Sequence, residues 1–364
     1  MGARRRFRHC LMQDKESRLP NAQCSNDNQI PPGGVQASQT TLWNASTTPC
    51  VFEVRLMLPA YIYHPDCSKH EMGSMHPECP ERTGAIHDHL LMKGLLEFMQ
   101  PFEAPAATEE QLARAHTMLH VHEMAAKSPA EGYEQVDPDT WMNPHTYQAA
   151  LHAAGAAVLA TDLVLRGEAP VAFCNVRPPG HHAERAQAGG FCFFNNVAIG
   201  IRHALDVHGL QRVALVDFDV HHGNGSEDIF HDDERVLMCS TFEYDLYPFF
   251  GHEPRGPNMV NIGLTPRAGG EGFRMAVDQF WLPALEKFRP QMIFISAGFD
   301  GHREDDMGNL GLVEADYEWV TRQVMEIARR YAQGRVVSCL EGGYVMSPLA
   351  RSAAAHVKVL IGAD

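Results

Sequence analysis

Five short apolar runs constrain the fold of this chain: Val171 to Val176, Val213 to Phe218, Val236 to Thr241, Met292 to Ala297 and Val336 to Leu340. Each is rich in β-branched residues and lacks the apolar-polar alternation of a strand with one wet face. Each therefore reads as a parallel strand covered on both sides. Between them stand helical patterns, Asn195 to His208, Gly270 to Phe288 and Glu314 to Tyr331, with a further one from Pro144 to Arg166 ahead of the first run. Strand and helix alternate, which predicts one α/β domain with a central, mostly parallel sheet flanked by helices. In such folds the functional site lies beyond the carboxyl ends of the strands. Four of the five runs deliver chemistry there: His181 and His182 after the first, Asp219 and His221 after the second, Asp300 after the fourth, Tyr344 after the fifth.

The segment Asp217-Phe-Asp219-Val-His221-His222-Gly-Asn224-Gly225 is the most informative of these ends. Residues two apart on a strand or its closing turn face the same way, so Asp219 and His221 point together while Phe218 and Val220 pack inward. With Asp300 they offer two carboxylates and an imidazole, a three-ligand set that leaves a position open for water or substrate. An ion there would acidify water and polarise a carbonyl, and both effects serve amide hydrolysis. The adjacent His181 and His182 supply a base for the water and an acid for the departing amine. Asp217 and Asn224 are the polar residues available to orient them. Tyr344, on the Gly342-Gly343 hinge, would bring a phenolic hydroxyl to the oxyanion. Singly, a His pair is ordinarily packing and an Asp after Gly-Phe a helix cap; the order and shared rim carry the reading. His116, His120 and His122 have helical spacing that could bind a metal, but the set is expected on a solvated face.

The formal net charge of −15 divides unevenly: seven Lys and Arg against four Asp and Glu leave +3 on residues 1–56, and the remainder carries −18. An acidic body disfavours nucleic acid and suits a cationic substrate. None of the nine cysteines forms a C-x-x-C pair, and Cys174, Cys192, Cys239 and Cys339 lie in or beside apolar runs. They predict buried thiols in a reducing compartment, the cytoplasm. With no apolar stretch near 18 residues, a membrane-embedded protein is not expected. Residues 1–56, Arg-rich and then rich in Asn, Gln, Ser, Thr and Pro, read as a disordered extension. They loosely resemble a transit peptide, against which Asp14 and Glu16 weigh. The catalytic domain is expected over 57–364, and an alternative reading of the extension is that Met57 begins the functional chain.

R-P-P-G-H-H, G-F-C-F-F-N-N, D-F-D-V-H-H-G-N-G, S-A-G-F-D and E-G-G-Y, in this order, resemble the histone deacetylase superfamily of zinc-dependent deacylases. His76-Pro77-Glu78-Cys79-Pro80-Glu81-Arg82 is similar to that family's first loop, and the likeness runs from about Tyr61 to the carboxyl end. It implies one catalytic zinc on Asp219, His221 and Asp300, paired catalytic His181 and His182, and a transition-state Tyr344. It also implies a structural potassium on Asp217, Asp219, His221, Ser240 and Thr241. Gly190, Phe191, Gly342 and Gly343 are the implied substrate channel. Aromatic residues of the Tyr244 to Phe250 loop are expected on its opposite wall, although that loop departs from better-known members. Asn224, where one branch has aspartate, points to the class II-like branch. The implied activity is hydrolysis of acyl-lysine amides in proteins, with acetylated polyamines or small amides as the alternative substrates, and the sequence is compatible with a homo-oligomer.

Two other readings fare worse. The arginase and agmatinase group resembles this fold but binds two manganese ions through D-x-H-x-D and a paired-Asp motif. Here position 223 is Gly and only Asp300 follows Phe299, which favours a mononuclear site. A module that binds acyl-lysine without turning it over would have no use for an intact His181, His182 and Tyr344 set.

Overall fold

All five apolar runs are strands, and three more join them in one eight-stranded sheet. The structure, a computed structural model, describes residues 57–363, so the predicted extension of residues 1–56 lies outside the described residues. In chain order the strands are β1 (Ala60–Tyr63), β2 (Gln100–Glu103), β3 (Glu134–Asp137), β4 (Thr140–Met142), β5 (Val171–Cys174), β6 (Val213–Asp217), β7 (Val236–Glu243), β8 (Met259–Leu264), β9 (Met292–Ala297) and β10 (Val336–Leu340). The sheet order is β2-β1-β5-β10-β9-β6-β7-β8, and every pairing in it is parallel. Strands β3 and β4 form a separate antiparallel hairpin.

The helices are α1 (Glu81–Met92), α2 (Glu109–Ala113), α3 (Met118–Lys127), α4 (Thr146–Leu165), α5 (Asn196–Asp206), α6 (Asn224–Phe230), α7 (Gly269–Ala276), α8 (Leu282–Phe288), α9 (Glu314–Tyr331) and α10 (Met346–Leu360). They explain why the strand sequences do not alternate. Val213 and Leu215 of β6 pack into one core with Ala153 and Ala157 of α4 and Ile201 of α5. Ala214 and Val216 point the other way, into a second core with Val320 of α9, Val357 of α10 and Ile86 of α1. Both faces of the sheet are dry, so both sets of side chains are apolar. Helix α4 is long and apolar enough to cross a membrane by length and composition, contrary to the sequence expectation, but 67% of that stretch is buried inside the protein. Its alanines let it lie close on the sheet. The predicted helix from Gly270 to Phe288 is interrupted by a π-helical turn, Val277–Trp281, that carries Val277 and Trp281 into the core.

His356 of α10 shows how this core treats polar groups. Thr321 donates its hydroxyl to Tyr317 O at 2.6 Å, so it accepts from His356 Nδ1 at 2.7 Å, and Ser338 lies 2.8 Å from Nε2. Burial pushes this imidazole down to about 3. A histidine neutral in the folded state takes up a proton only on unfolding below its ordinary pKa of about 6.5. Its contribution is therefore full above pH 6.5 and lost as pH falls toward 3, at about 1.4 kcal/mol per pH unit. In urea titrations between pH 6 and 4, His356→Gln is expected to show a slope of stability against pH shallower by about that amount; parallel curves for the two proteins would contradict it.

Candidate active site

The four strands whose ends carry the chemistry, β5, β10, β9 and β6, are contiguous at the centre of the sheet. Their parallel alignment therefore brings residues separated by more than a hundred positions to one rim. Asp219, His221 and Asp300 are buried, and one ligand atom from each falls within 4.8 Å of the others. His221 Nδ1 lies 3.0 Å from Asp219 Oδ1 and 3.2 Å from Asp300 Oδ2. Backbone amides hold the carboxylates in place. Gly342 N donates to Asp219 Oδ2 at 2.8 Å, His221 N to Asp219 Oδ1 at 2.9 Å, and Val220 N to Asp300 Oδ1 at 2.9 Å.

Asp300 Oδ2 is buried and receives no hydrogen bond of good geometry; its one close polar neighbour is His221 Nδ1 at 3.2 Å, itself a candidate ligand. A carboxylate oxygen left so is costly unless it faces a cation. Burial drives the Asp300 carboxyl up to about 7, with the Asp219 charge adding to it. Burial lowers the His221 imidazole, but Asp219 and Asp300 outweigh that and hold it up to about 10. The donor set thus fits a dication chemically: borderline nitrogen and oxygen ligands, concentrated negative charge and an orphaned acceptor. Among the described residues, two other clusters come within similar range and fit less well. Arg114 donates to His203 Nδ1 at 2.9 Å, which leaves the proton on His203 Nε2, facing Asp162 at 2.9 Å. The His64 and His152 rings stack at 3.4 Å and 5°, so their lone pairs run parallel rather than converge.

The histidine pair is asymmetric. His181 Nδ1 is 3.0 Å from Asp217 Oδ2, whose other oxygen accepts from Asp219 N. Burial lowers this imidazole, but Asp219 and Asp217 outweigh it and raise it to about 10. His182 Nδ1 instead meets the neutral amide of Asn224, 2.8 Å from Oδ1. Burial, then the neighbouring His181 and His221, hold it well below the ordinary imidazole range. Glu341 sits beneath the pair and accepts from Gly180 N at 2.7 Å and His181 N at 3.1 Å.

A narrow channel of about 80 Å³ opens above these groups, lined by His182, Gly190, Phe191, His221, Tyr344, Asp139, Tyr247 and Met307. Gly190 has φ +56, and a Cβ there would come within 2.6 Å of the His182 ring, so only glycine fits. Of the aromatic loop, Tyr247 lines the channel, with its ring 4.9 Å from His182; Phe249 and Phe250 are exposed. Gly342 and Gly343, expected in the channel, pack behind it: a Cβ on Gly342 would crowd the Asp219 and Asp300 carboxylates, and Gly343 O accepts from Arg82. Tyr344 stands edge-on to Phe191 at 5.8 Å, its backbone N–H fixed by Asp305 Oδ2 at 2.7 Å. Ser240, named for potassium, pairs in register with Asp217 and lies 3.2 Å from His222 Nδ1. A larger cleft of about 880 Å³, lined by His89, Lys93, Phe98 and Arg351, holds none of these groups.

Beneath the site lies a buried ionic cluster that sequence reasoning missed. Arg177 grips Glu78 through Nε at 2.5 Å and Nη2 at 2.6 Å, and Arg82 reaches the same carboxylate at 2.9 Å. Arg82 also donates to the carbonyls of Gly343 and Glu341. Its guanidinium lies 4.8 Å from the centre of the Tyr344 ring. The only signal in the sequence was the presence of these charges inside apolar-flanked motifs. The expectation for His116 and His120 is corrected: both are buried. His116 Nδ1 bonds Glu184 O, His116 Nε2 accepts from Asn195 N, and His120 Nε2 bonds Phe193 O, so they brace the loop that carries Gly190 and Phe191.

A parallel sheet bearing a candidate three-ligand metal set, two histidines and a tyrosine on its carboxyl rim fits the deacetylase-like class of α/β amidohydrolases. The model of the histone deacetylase domain matches residues 76–360, and the chain belongs to that family. It is 37% identical over 299 residues to a probable deacetylase of Archaeoglobus fulgidus, covering 79% of this chain and 82% of that protein. It is 38% identical to a histone deacetylase-like amidohydrolase of Pseudomonas aeruginosa, covering 74% of this chain and 72% of that one. Among solved structures, the HD domain of HDA15 superposes with a TM-score of 0.77 at 30% identity, covering 84% of this chain and 90% of that one. The five cysteines Cys67, Cys174, Cys192, Cys239 and Cys339 are free and buried.

His221→Ala is expected to reduce the divalent metal in the purified protein from about one equivalent to less than about a tenth, read by atomic emission. Retention of the full equivalent would move the metal site elsewhere.

Proposed function

We propose that this chain removes acetyl or related acyl groups from lysine side chains of proteins, by hydrolysis of the side-chain amide. One observation carries the reading: His182, His221 and Tyr344 line a channel about 80 Å³ in volume, with Asp300 Oδ2 3.2 Å from His221 Nδ1 and the His181 ring 4.0 Å from that of His182. That channel suits a thin, unbranched stem with an amide at its end. The metal is zinc, held by Asp219, His221 and Asp300; when bound it polarises the amide carbonyl and acidifies water. Potassium would bind near Asp217, Asp219 and His221, with the Ser240 hydroxyl and the Thr241 carbonyl.

The remaining chemistry belongs to the protein's own groups. With Nδ1 bonded to the amide oxygen of Asn224, His182 keeps a lone pair on Nε2 and takes the proton of the attacking water. His181, beside the anionic Asp217, carries a proton for the departing lysine amine. Tyr344 donates its hydroxyl to the oxyanion of the tetrahedral intermediate, while Phe191 and Tyr247 exclude bulk water from the stem. An acetylated polyamine is the second reading, favoured by Asp139 at the channel and by the net charge of −15.

The test is turnover of the full chain on an acetyl-lysine peptide and on acetylspermidine side by side, with zinc measured on the same sample. Preference for the peptide supports the proposal, preference for acetylspermidine selects the second reading, and a zinc-loaded protein inactive on both would overturn the two together. Tyr344→Phe is expected to lower kcat by about 100-fold or more with KM changed less than about threefold, because its hydrogen bond forms in the transition state. An equal loss in both parameters would remove Tyr344 from that role.

A further inference from the structure

His181 and His182 depend on different kinds of partner, and the difference creates a requirement that Asn224 cannot meet alone. The Asp217 carboxylate presents an acceptor from either oxygen. The Asn224 amide has an accepting end and a donating end, and which end faces His182 decides which ring nitrogen holds the proton. If the NH₂ faced the ring, His182 Nδ1 would have to accept, the proton would move to Nε2, and the lone pair aimed at the channel would be gone.

One side chain removes the choice. Glu184 Oε1 lies 2.8 Å from Asn224 Nδ2, on the far side of the amide from His182. A carboxylate only accepts, so the NH₂ must turn toward Glu184 and Oδ1 toward His182. The position of Glu184 is itself fixed by its backbone: Glu184 N donates to Gln187 O at 2.8 Å, and Glu184 O receives His116 Nδ1 at 2.9 Å. The next residue is pinned as well, with Arg185 N donating to Asp228 Oδ2 at 3.0 Å. Its carboxylate stands half-buried at the wall of a separate cavity of about 310 Å³, with Glu227, Phe250, Glu253 and Arg255. Glu184 is not among the residues that line the channel.

We infer that Glu184 is a positioning residue: by accepting from Asn224 Nδ2 it locks the amide, and through it the tautomer of His182 that leaves Nε2 free to take a proton. The inference rests on the reading of His182 as the base in amide hydrolysis. It predicts an unusual pattern of loss and rescue. Glu184→Lys replaces an acceptor with a donor, which fits the open cavity and turns the amide around. Asn224→Asp places two carboxylates against each other and gives His182 an anionic partner, which would hold a proton on its Nε2 as Asp217 does for His181. The double variant restores a consistent chain, since an aspartate at 224 accepts from both the lysine and His182 Nδ1 while the lysine's positive charge offsets the aspartate's, so His182 again faces no net charge.

In the full-length, zinc-loaded protein, Glu184→Lys and Asn224→Asp are each expected to lower kcat by about 100-fold with KM within about threefold, the range set by loss of a general base. The double variant is expected to recover to within about tenfold of the parent, a non-additivity that independent structural damage does not produce. Glu184→Ala, which removes the acceptor with the least disturbance, should give an intermediate loss and holds the test open if the lysine variant fails to fold. Histidine ¹⁵N shifts, assigned with His182→Asn, read the tautomer directly: Nδ1–H in the parent and the double variant, Nε2–H in Glu184→Lys, a mixture in Glu184→Ala. Inactivity of the parent on acyl-lysine would sink the proposed function while leaving the tautomer measurement to decide the role of Glu184. An unchanged His182 tautomer in Glu184→Lys and Glu184→Ala, or a double variant no better than the product of the single effects, would overturn it.

Discussion

The site stands on a single buried carboxylate. Glu78 is inaccessible to solvent, as are the two arginines that hold it, and the three belong to different parts of the chain: the loop before α1, α1 itself and the turn after β5. Burial would raise the Glu78 carboxyl, but Arg177, His70 and Arg82 outweigh it and keep it well below the usual carboxylate range. Such a cluster adds little net stability over an apolar replacement, yet removing one partner strands a buried charge at a cost of about 3–5 kcal/mol. Its role is geometric. Arg177 reaches back to the carbonyls of Cys67 and His70, and Arg82 to those of Glu341 and Gly343. The turn bearing the histidine pair and the turn bearing Tyr344 are thereby tied to one anchor.

Above that anchor the rim divides its labour through charge. Asp217 gives His181 an anionic partner and Asn224 gives His182 a neutral one, so two chemically identical rings side by side are set to opposite protonation states. Their centroids are only 4.0 Å apart, and two cations at that separation would repel strongly. The charge on one ring thus helps to keep the other neutral.

Much of this was legible in the sequence, for a physical reason. The central strands are covered on both faces, so their runs stand out, and the residues that follow them must share a rim. The edge strands β2 and β8 did not stand out: Gln100–Glu103 is largely exposed and Met259–Leu264 contains Asn261 and Gly263, so neither forms an apolar run. Tyr247 falls in the aromatic loop expected at the channel, but Asp139, Met307 and Asp305 come from loops whose approach to the site is a tertiary fact without local pattern. His120 misled because helical spacing says which residues share a face but not whether that face is wet, and His116 misled because it lies ahead of α3, in the bend after α2, where helical spacing does not apply.

The order of strands in space differs from their order along the chain. Strand β10, fifth of the central five to be made, lies between β5 and β9 rather than at an edge. Until residues 336–340 arrive, β5 and β9 each present an open row of backbone donors and acceptors toward the middle of the molecule. The sheet therefore closes like a keystone arch, and its most distant contacts in sequence are also its most central ones. During synthesis the amino-terminal part, β5 and its histidine turn included, must wait as an incomplete half-sheet. The same late strand that brings Tyr344 and Glu341 to the rim is the one that seals the core beneath it.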